Sequence, residues 1–210
     1  MTLPDSLAAA APGWFIDADV VVVGSGIAGL STAIRATRAG RKVIVVTKAR
    51  VDEGSTRWAQ GGIAASLGHE DTPEQHLQDT LVAGAGLCDP AAVRILVESG
   101  PAAVRRLIGW GAEFDRTPEG DIALTREGGH HLDRIAHAGG AATGYEIVRA
   151  LVAEVGQRIQ VIEHALVLDL LQDERRAAQG VTLHVMGEGQ IDGVGAILAP
   201  VVVGGGKQSL

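Results

Sequence analysis

The chain has 210 residues, 46% of them hydrophobic and 20% charged, which suits about one globular domain and excludes a disordered or fibrous chain. Its formal charge is −7 and no run of Lys and Arg exceeds two residues, so nucleic acid and an anionic membrane are excluded as main partners. A small anionic ligand stays open, because a few local donors can bind it.

Residues 1–18 read as a loose leader. The first cation is Arg35, too late for the positive charge that opens a secretory signal. Residues 19–23 (DVVVV) form an unbroken β-branched run, the mark of a strand buried on both faces. Residues 20–34 are apolar but short and broken by glycine, so they are not a membrane span. After GSGIAG, residues 30–39 read as a helix ended by Gly40, and residues 42–47 (KVIVVT) as a second buried strand. Together these make a β-α-β unit. Residues 53–68 form a glycine-rich loop. Thr72, Pro73 and Gln75 open a helix with a capping box. Cys88 is the single cysteine, so no intrachain disulfide can form, which fits a reducing cytoplasm; it reads as a small packed side chain rather than a nucleophile. A helix is predicted over 89–98 and a separate short one over 101–108, closed by Gly109-Trp110-Gly111. A turn is expected at 119–121, and a helix over 144–155 with Ile147, Val148, Leu151, Val152 and Val155 on one face. Strands are predicted over 159–163, 166–171, 181–186 and 196–203, with a turn near 173–179.

The chain carries 29 glycines, about twice the usual share. Six positions matter first: Gly24, Ser25, Gly26, Ile27, Ala28 and Gly29 fill the GxGxxG pattern between a buried strand and a helix, the context its mechanism requires. Gly24 permits the tight turn, Gly26 lets backbone approach a pyrophosphate, and Gly29 lets the helix pack on the strand. The helix N-terminus then turns amides and a positive dipole end toward phosphate. A glycine-rich turn without a ligand is the alternative. The second strand ends in Thr47-Lys48 where Asp or Glu would hold a ribose, with Asp52 and Glu53 beyond it. A cation there suits a 2′-phosphate, so NADP stands as one reading and a surface lysine without a role as another.

The loop Gly54, Ser55, Thr56, Arg57, Trp58, Ala59, Gln60, Gly61, Gly62 changes that balance. With the fingerprint it resembles the succinate dehydrogenase and fumarate reductase flavoprotein superfamily. The Thr47-Lys48 strand end, residues 79–89 (DTLVAGAGLCD) and residues 124–130 (LTREGGH) resemble the L-aspartate oxidase family within it. The similarity runs over residues 18–200. It implies an α/β fold: a Rossmann-like FAD-binding domain with a parallel sheet, helices and a β-meander insertion. It also implies FAD rather than NADP. Residues 25–28 would meet the pyrophosphate, Lys48 the adenosine ribose, Ser55 to Gly62 the flavin, and the backbone of Leu166 and Val167 the adenine. Succinate dehydrogenases and quinol-linked fumarate reductases join the flavin covalently to a histidine in the AQGG loop; Ser55 falls at that place. Serine cannot make that imidazole bond, so the FAD is expected to be noncovalent.

The resemblance further implies that L-aspartate loses a hydride to the flavin and becomes iminoaspartate, the first step of de novo NAD biosynthesis, with oxygen or fumarate as electron acceptor and quinolinate synthase downstream. The flavin does the redox chemistry and the protein orients substrate. Glu127, in TREGGH, matches a family glutamate that orients aspartate; a carboxylate there attracts the substrate ammonium. The residue-level alternative is an exposed loop charge, or a pair with Arg126. His130, His131 and His137 fit no zinc spacing, and no cysteine accompanies them. His130 is expected to shape the loop. Glu113 and Asp115 read as solvated acids.

The family's later substrate arginines and histidines, its capping domain and its C-terminal helical domain are not in this sequence. The expectation is therefore an FAD-binding domain over 19–210 that is cut before the capping domain and inactive alone. The family's strand here ends in ATGG; in residues 200–207 (PVVVGGGK) the Thr is replaced, and the likeness to the family stops after Gly206. Competing readings are a fumarate reductase or succinate dehydrogenase type flavoprotein, against which Ser55 and Glu127 argue, and a non-catalytic nucleotide-binding remnant.

Overall fold

A computed structural model describes residues 11–156, 158–186 and 193–204. The first ten residues of the expected leader and residues 205–210, with the departing tail after Gly206, lie outside the described residues. In chain order the elements are β1 (Phe15–Asp17), β2 (Val20–Val23), α1 (Ile27–Arg38), β3 (Val43–Val46) and a 3-10 turn over Ser55–Trp58. Then come β4 (Ile63–Ala64), α2 (Pro73–Ala83), α3 (Pro90–Gly109), β5 (Leu124–Thr125), β6 (Ile135–Ala136) and α4 (Thr143–Val155). The chain closes with β7 (Gln160–Ile162), β8 (Ala165–Gln172), β9 (Ala178–Val185), β10 (Gly193–Leu198) and β11 (Val201–Gly204). Two compact units divide the chain: Met1–Ser55 with Val152–Leu210, and Thr56–Leu151.

The first unit holds a parallel sheet in the order β11-β2-β3-β7, with Val21 paired to Ile44 and to Val202. Its central strands are valine and isoleucine throughout because both faces are covered: Val21, Val22, Ile44, Val45 and Val46 have no exposed surface. Each such side chain contributes roughly 1.5–3 kcal/mol by leaving water. Leu30, Ala33 and Ile34 form the buried stripe of α1, which packs on β2 and β3. A second sheet, β1-β10-β9-β8, supplies Val181, Leu183, Val185 and Ile197 to a core shared with Val21, Ile44 and Val46. Its β8-β9-β10 meander is antiparallel and lies in sequence between β7 and β11, which is the expected insertion in a parallel α/β sheet. The turn between β8 and β9 is built by Asp173, whose carboxylate accepts from the amides of Arg175 and Ala177.

Two strand expectations are corrected here. Residues 15–17 of the expected leader form β1, parallel to β10, with Phe15 opposite Ala196. Trp14 explains why: it lies over Gly195, where a Cβ would collide with the indole. The single strand expected over 196–203 is two strands in different sheets. Pro200 has no N–H to continue a ladder, so β10 stays with β9 while β11 joins β2.

The second unit contains α2, α3, the small antiparallel sheet β4-β6-β5 and most of α4. The capping box at Thr72 is present in full: the hydroxyl accepts from the Gln75 amide at 3.2 Å, and the Gln75 side chain accepts from the Thr72 amide at 3.0 Å. The two helices expected over 89–98 and 101–108 are one, α3, with Pro101 inside it. Proline removes one helical hydrogen bond, but Val97, Pro101, Val104 and Leu107 form one buried stripe that holds the helix together across it. The strand β4 within the glycine-rich loop, and its partner β6, were not foreseen; two-residue strands carry no periodic signal.

Candidate functional site

In the first unit the fingerprint sits at the C-terminal ends of the parallel strands, where open α/β sheets bind ligands. Gly24 has φ +105° and its amide donates to the Val46 carbonyl at 2.8 Å. That φ lies in the region that only glycine enters at no cost. At Gly29 a Cβ would collide with the Gly24 carbonyl oxygen, so the helix can approach the turn only as glycine. Gly26 caps α1 with extended backbone and no side-chain hydrogen bond, and the first helical turn has no acidic residue. A diphosphate fits this arrangement: amides and the positive dipole end face it without a competing carboxylate.

Around the fingerprint the same unit gathers other expected positions. Ser25 is buried and its hydroxyl lies 3.1 Å from that of Thr47, tying the turn to the end of β3. Thr47 bridges to the next strand, donating its amide to Ile162 and accepting from Ala165. Exposed Lys48 follows, and Glu163 fixes the next segment by accepting from the Val51 amide at 2.7 Å. Leu166 and Val167 are half-buried on β8, opposite His184 and Leu183. Asp52 and Glu53 are engaged by Arg50 in the turn after β3. Gly54 lies close to the fingerprint; a Cβ there would stand 3.3 Å from the Ser25 carbonyl oxygen. The glycine-rich loop thus begins beside Ser25 and Gly26.

The rest of that loop belongs to the second unit. Gly144 anchors its turn: the Gly144 amide donates to the Ala59 carbonyl at 3.0 Å, and a Cβ at Gly144 would collide with the Thr56 carbonyl oxygen. Arg57 lies 5.1 Å from the Tyr145 ring centroid and 5.9 Å from that of Trp58. Ser55, Trp58, Ala59, Gln60 and Gly61 are exposed. At its far end Ile63 pairs with Ala136, and Gly62 fits so closely against β6 that a Cβ would stand 2.9 Å from the His137 ring.

That packing brings the loop next to Glu127. The β5–β6 hairpin carries Glu127 with its side chain 53% exposed, 3.7 Å from His137 Nε2. His137 Nε2 also lies 2.9 Å from the Thr125 hydroxyl. The pairing of Glu127 with Arg126 is not made. Arg126 instead faces Asp133 at 3.4 Å and donates to the His131 carbonyl.

Sequence reasoning missed the charge network beneath this hairpin. Arg134 has no exposed surface and donates twice to Asp71, at 2.9 Å each, and once to Asp79 at 2.9 Å. Asp79 also accepts from the His131 amide and lies 2.5 Å from His131 Nδ1. Burial pushes the Asp79 carboxyl up, but the His131 amide and imidazole and the Arg134 charge outweigh it and hold the group below the ordinary carboxylate value. His130 stacks edge-on against buried His76 at 5.4 Å and lies 3.4 Å from Arg134. Burial, then the Arg134 charge, keeps His76 below the ordinary histidine value. The only signal in the sequence was thin: Asp71 just before the α2 cap, Asp79 within α2, and an arginine in LDRIA next to the apolar pair Ile135-Ala136.

The remaining candidates settle into structural roles. Asp115 is not simply solvated: its carboxylate accepts from Gly139 and Gly140. Cys88 packs over Gly84 and its thiol lies 3.6 Å from the Thr80 carbonyl. Among the described residues no group of His, Cys, Asp and Glu is arranged to hold a metal ion, and no helix is long and apolar enough to cross a membrane.

Comparison with known proteins agrees with this geometry. The FAD binding domain family matches residues 19–208. The chain is 69% identical to an L-aspartate oxidase of Streptomyces coelicolor over 198 residues, which is 94% of this chain and 34% of that protein. It is 46% identical to an L-aspartate oxidase of Mycobacterium tuberculosis, over 92% of this chain and 36% of that one. The chain therefore spans about a third of the length of these relatives. Among solved structures, the Mycobacterium smegmatis Sdh1 complex superposes with a TM-score of 0.84 at 31% identity, covering 91% of this chain and 34% of that one. The Escherichia coli quinol fumarate reductase gives 0.83 at 31%, covering 91% and 32%. With a matched family over nearly all of its length and a glycine fingerprint at the ends of its parallel strands, the chain belongs to the FAD binding domain family.

Proposed function

We propose that this chain provides the cofactor framework and part of the substrate site for oxidation of L-aspartate to iminoaspartate, the first step of de novo NAD biosynthesis, in the cytoplasm and upstream of quinolinate synthase. The observation that carries the substrate is the packing of Gly62 against His137, which puts an exposed carboxylate, Glu127, beside the end of the glycine-rich loop. Bound FAD supplies the two-electron acceptor, which oxygen or fumarate reoxidises. The chain's own residues bind and orient. Backbone amides over residues 25–28 and the dipole of α1 hold the diphosphate. Lys48 would hold the adenosine ribose, the backbone of Leu166 and Val167 would meet the adenine, and residues 55–62 would bind the flavin. Ser55 offers no imidazole for a covalent bond, so FAD is held noncovalently. Glu127 draws the substrate ammonium, an attraction that succinate and fumarate cannot use.

The relation to Sdh1 and to quinol fumarate reductase supports a dicarboxylate flavoprotein as the second reading. One substitution separates the two. In a full-length enzyme carrying this segment, Glu127→Gln should lower kcat/KM for aspartate by about 10–100-fold, the scale of a charge-assisted hydrogen bond, and lower fumarate reduction much less. Equal loss in both assays defeats the assignment of Glu127. The cofactor mode is read from acid precipitation of the flavin-loaded protein: noncovalent FAD stays in the supernatant, and flavin fluorescence in the pellet would contradict it.

A further inference from the structure

The proposed role of Glu127 leaves His137 unexplained, although the structure holds that ring more firmly than the carboxylate beside it. The backbone of His137 is fixed on both sides. Before it, Ala136 pairs with Ile63 and Leu124. At His137 itself the carbonyl accepts from the Asp115 amide at 2.8 Å, and the next amide, Ala138, donates to the Thr143 hydroxyl at 3.1 Å. The ring edge lies against Gly62, where even a methyl group would be too close. Its side chain is 20% exposed, against 53% for Glu127. From this fixed position Nε2 meets the Thr125 hydroxyl at 2.9 Å and the Glu127 carboxylate at 3.7 Å. Among the described residues Glu127 has no other ion-pair partner, since Arg126 turns to Asp133.

We propose that His137 is a positioning residue: through Nε2 it gathers Thr125 and Glu127 so that the carboxylate is presented to the ammonium of an amino-dicarboxylate. The inference rests on the aspartate reading above and deepens it. A flexible glutamate on an exposed hairpin loses side-chain entropy when it fixes a substrate. A rigid imidazole behind it removes part of that cost before substrate arrives, which is preorganisation. The selectivity for an amine over a plain dicarboxylate then depends on the pair and not on Glu127 alone.

Two measurements test this. In the 210-residue chain with 15N-labelled histidine, the His137 Nε2 resonance should move on Glu127→Gln and on Thr125→Val, and stay in place on the distant control Glu98→Gln. A resonance indifferent to both nearby substitutions overturns the inference whatever the enzyme does. The second measurement uses a full-length enzyme in which residues 19–208 replace the matching segment of the Streptomyces coelicolor relative. His137→Leu should raise KM for aspartate about tenfold while fumarate reduction changes less than about twofold, and His137→Gln, whose amide nitrogen stands near the Nε2 position, should recover most of that loss. In the Glu127→Gln background His137→Leu should add nothing further, because a residue acting through another is silent once that other is gone. Additive losses, or equal losses on aspartate and fumarate, overturn the inference while the aspartate reading stands. A parent enzyme that folds, binds FAD and fails to oxidise aspartate defeats that reading, and the inference with it.

Discussion

The two candidate binding regions are built from opposite materials. At the ends of the parallel strands the candidate site is built from backbone, with glycine at 24, 26, 29 and 54 and the buried Ser25–Thr47 hydroxyl pair as a tie. In the β5–β6 hairpin the exposed Glu127 stands over a buried framework of charged side chains drawn from distant places, Arg134 meeting Asp71 63 residues away and Asp79 55 residues away. The first region has no room for an added carbon at Gly29. The second cannot lose a partner. A diphosphate needs many aligned amides, which strand and helix geometry supply without side chains; a substrate told apart by one ammonium group needs a charge in one place, which only side chains supply.

The sharpest break in that contrast is Arg134→Met. It leaves Asp71 and Asp79, with side chains 3% and 13% exposed, without their buried cation. Losing one member of a buried ion network costs about 3–5 kcal/mol, whereas replacing all three charged residues by apolar ones of similar volume costs far less. Denaturant unfolding of the single and triple variants tests this; equal losses would mean that packing, not charge, holds the hairpin. Acid probes the same network. His76 and Asp79 both have lowered values in the folded chain, so each stabilises it when deprotonated. A lowered group gives its full contribution above its unfolded value and loses it as pH falls toward its folded value. Unfolding free energy should therefore fall below about pH 6.5 as His76 is reached, and fall further below about pH 4 as Asp79 is reached. His76→Gln should remove the upper part of the decline. A curve that is flat between pH 8 and pH 5 in the parent chain would contradict the assignment.

In the backbone-built region the break comes from adding one carbon. Gly29→Ala places a methyl group on the Gly24 carbonyl oxygen and against the Val22 side chain, in a strand with no room to shift. Overpacking of this kind costs roughly 1–3 kcal/mol, and the displaced turn should also weaken FAD binding by tenfold or more, about 1.4 kcal/mol. Gly109→Ala, at the end of α3 and outside the proposed cofactor site, is the matched control: nothing lies within 4 Å of its Cβ position, so neither stability nor FAD binding should fall. Isothermal titration with FAD and thermal melting separate the two; comparable losses would show that glycine content, not this contact, is what matters.

This difference in material also decides what could be read from sequence. The β2-α1-β3 unit was legible because buried parallel strands must be apolar on both faces and the turn between them must be glycine. The meander was legible from short apolar runs around the Asp173 turn. The join at Pro200 was not, since an apolar run looks the same in one strand as in two, and β1 was not, because its three residues pair with residues 181 positions later. Glu127 could be named from its motif, but its partner could not: His137 lies ten residues on, and the fold of the β5–β6 hairpin brings its ring to Thr125 and Glu127. The Arg134 network was invisible for the same reason. Charges spaced along a chain do not announce which of them meet.

The smallest expected effect lies where the two kinds of signal touch. Thr72 was read from local spacing alone, and its capping box is present, yet the residue before it is Asp71, the bidentate partner of Arg134. The cap satisfies the Gln75 amide, and by its place next to Asp71 it is expected also to fix the backbone that aims Asp71 inward. Thr72→Ala should cost about 1 kcal/mol by the first effect, while Thr72→Ser keeps the acceptor and should cost a few tenths. The second effect shows only as coupling. Residues in one network depart from additivity by about 0.5–3 kcal/mol, so Thr72→Ala should cost measurably less in an Arg134→Met background than in the parent chain. Strict additivity, measured by denaturant unfolding of the four proteins in the cycle, would show that α2 caps itself independently of the buried network, and that the local signal and the long-range one merely adjoin.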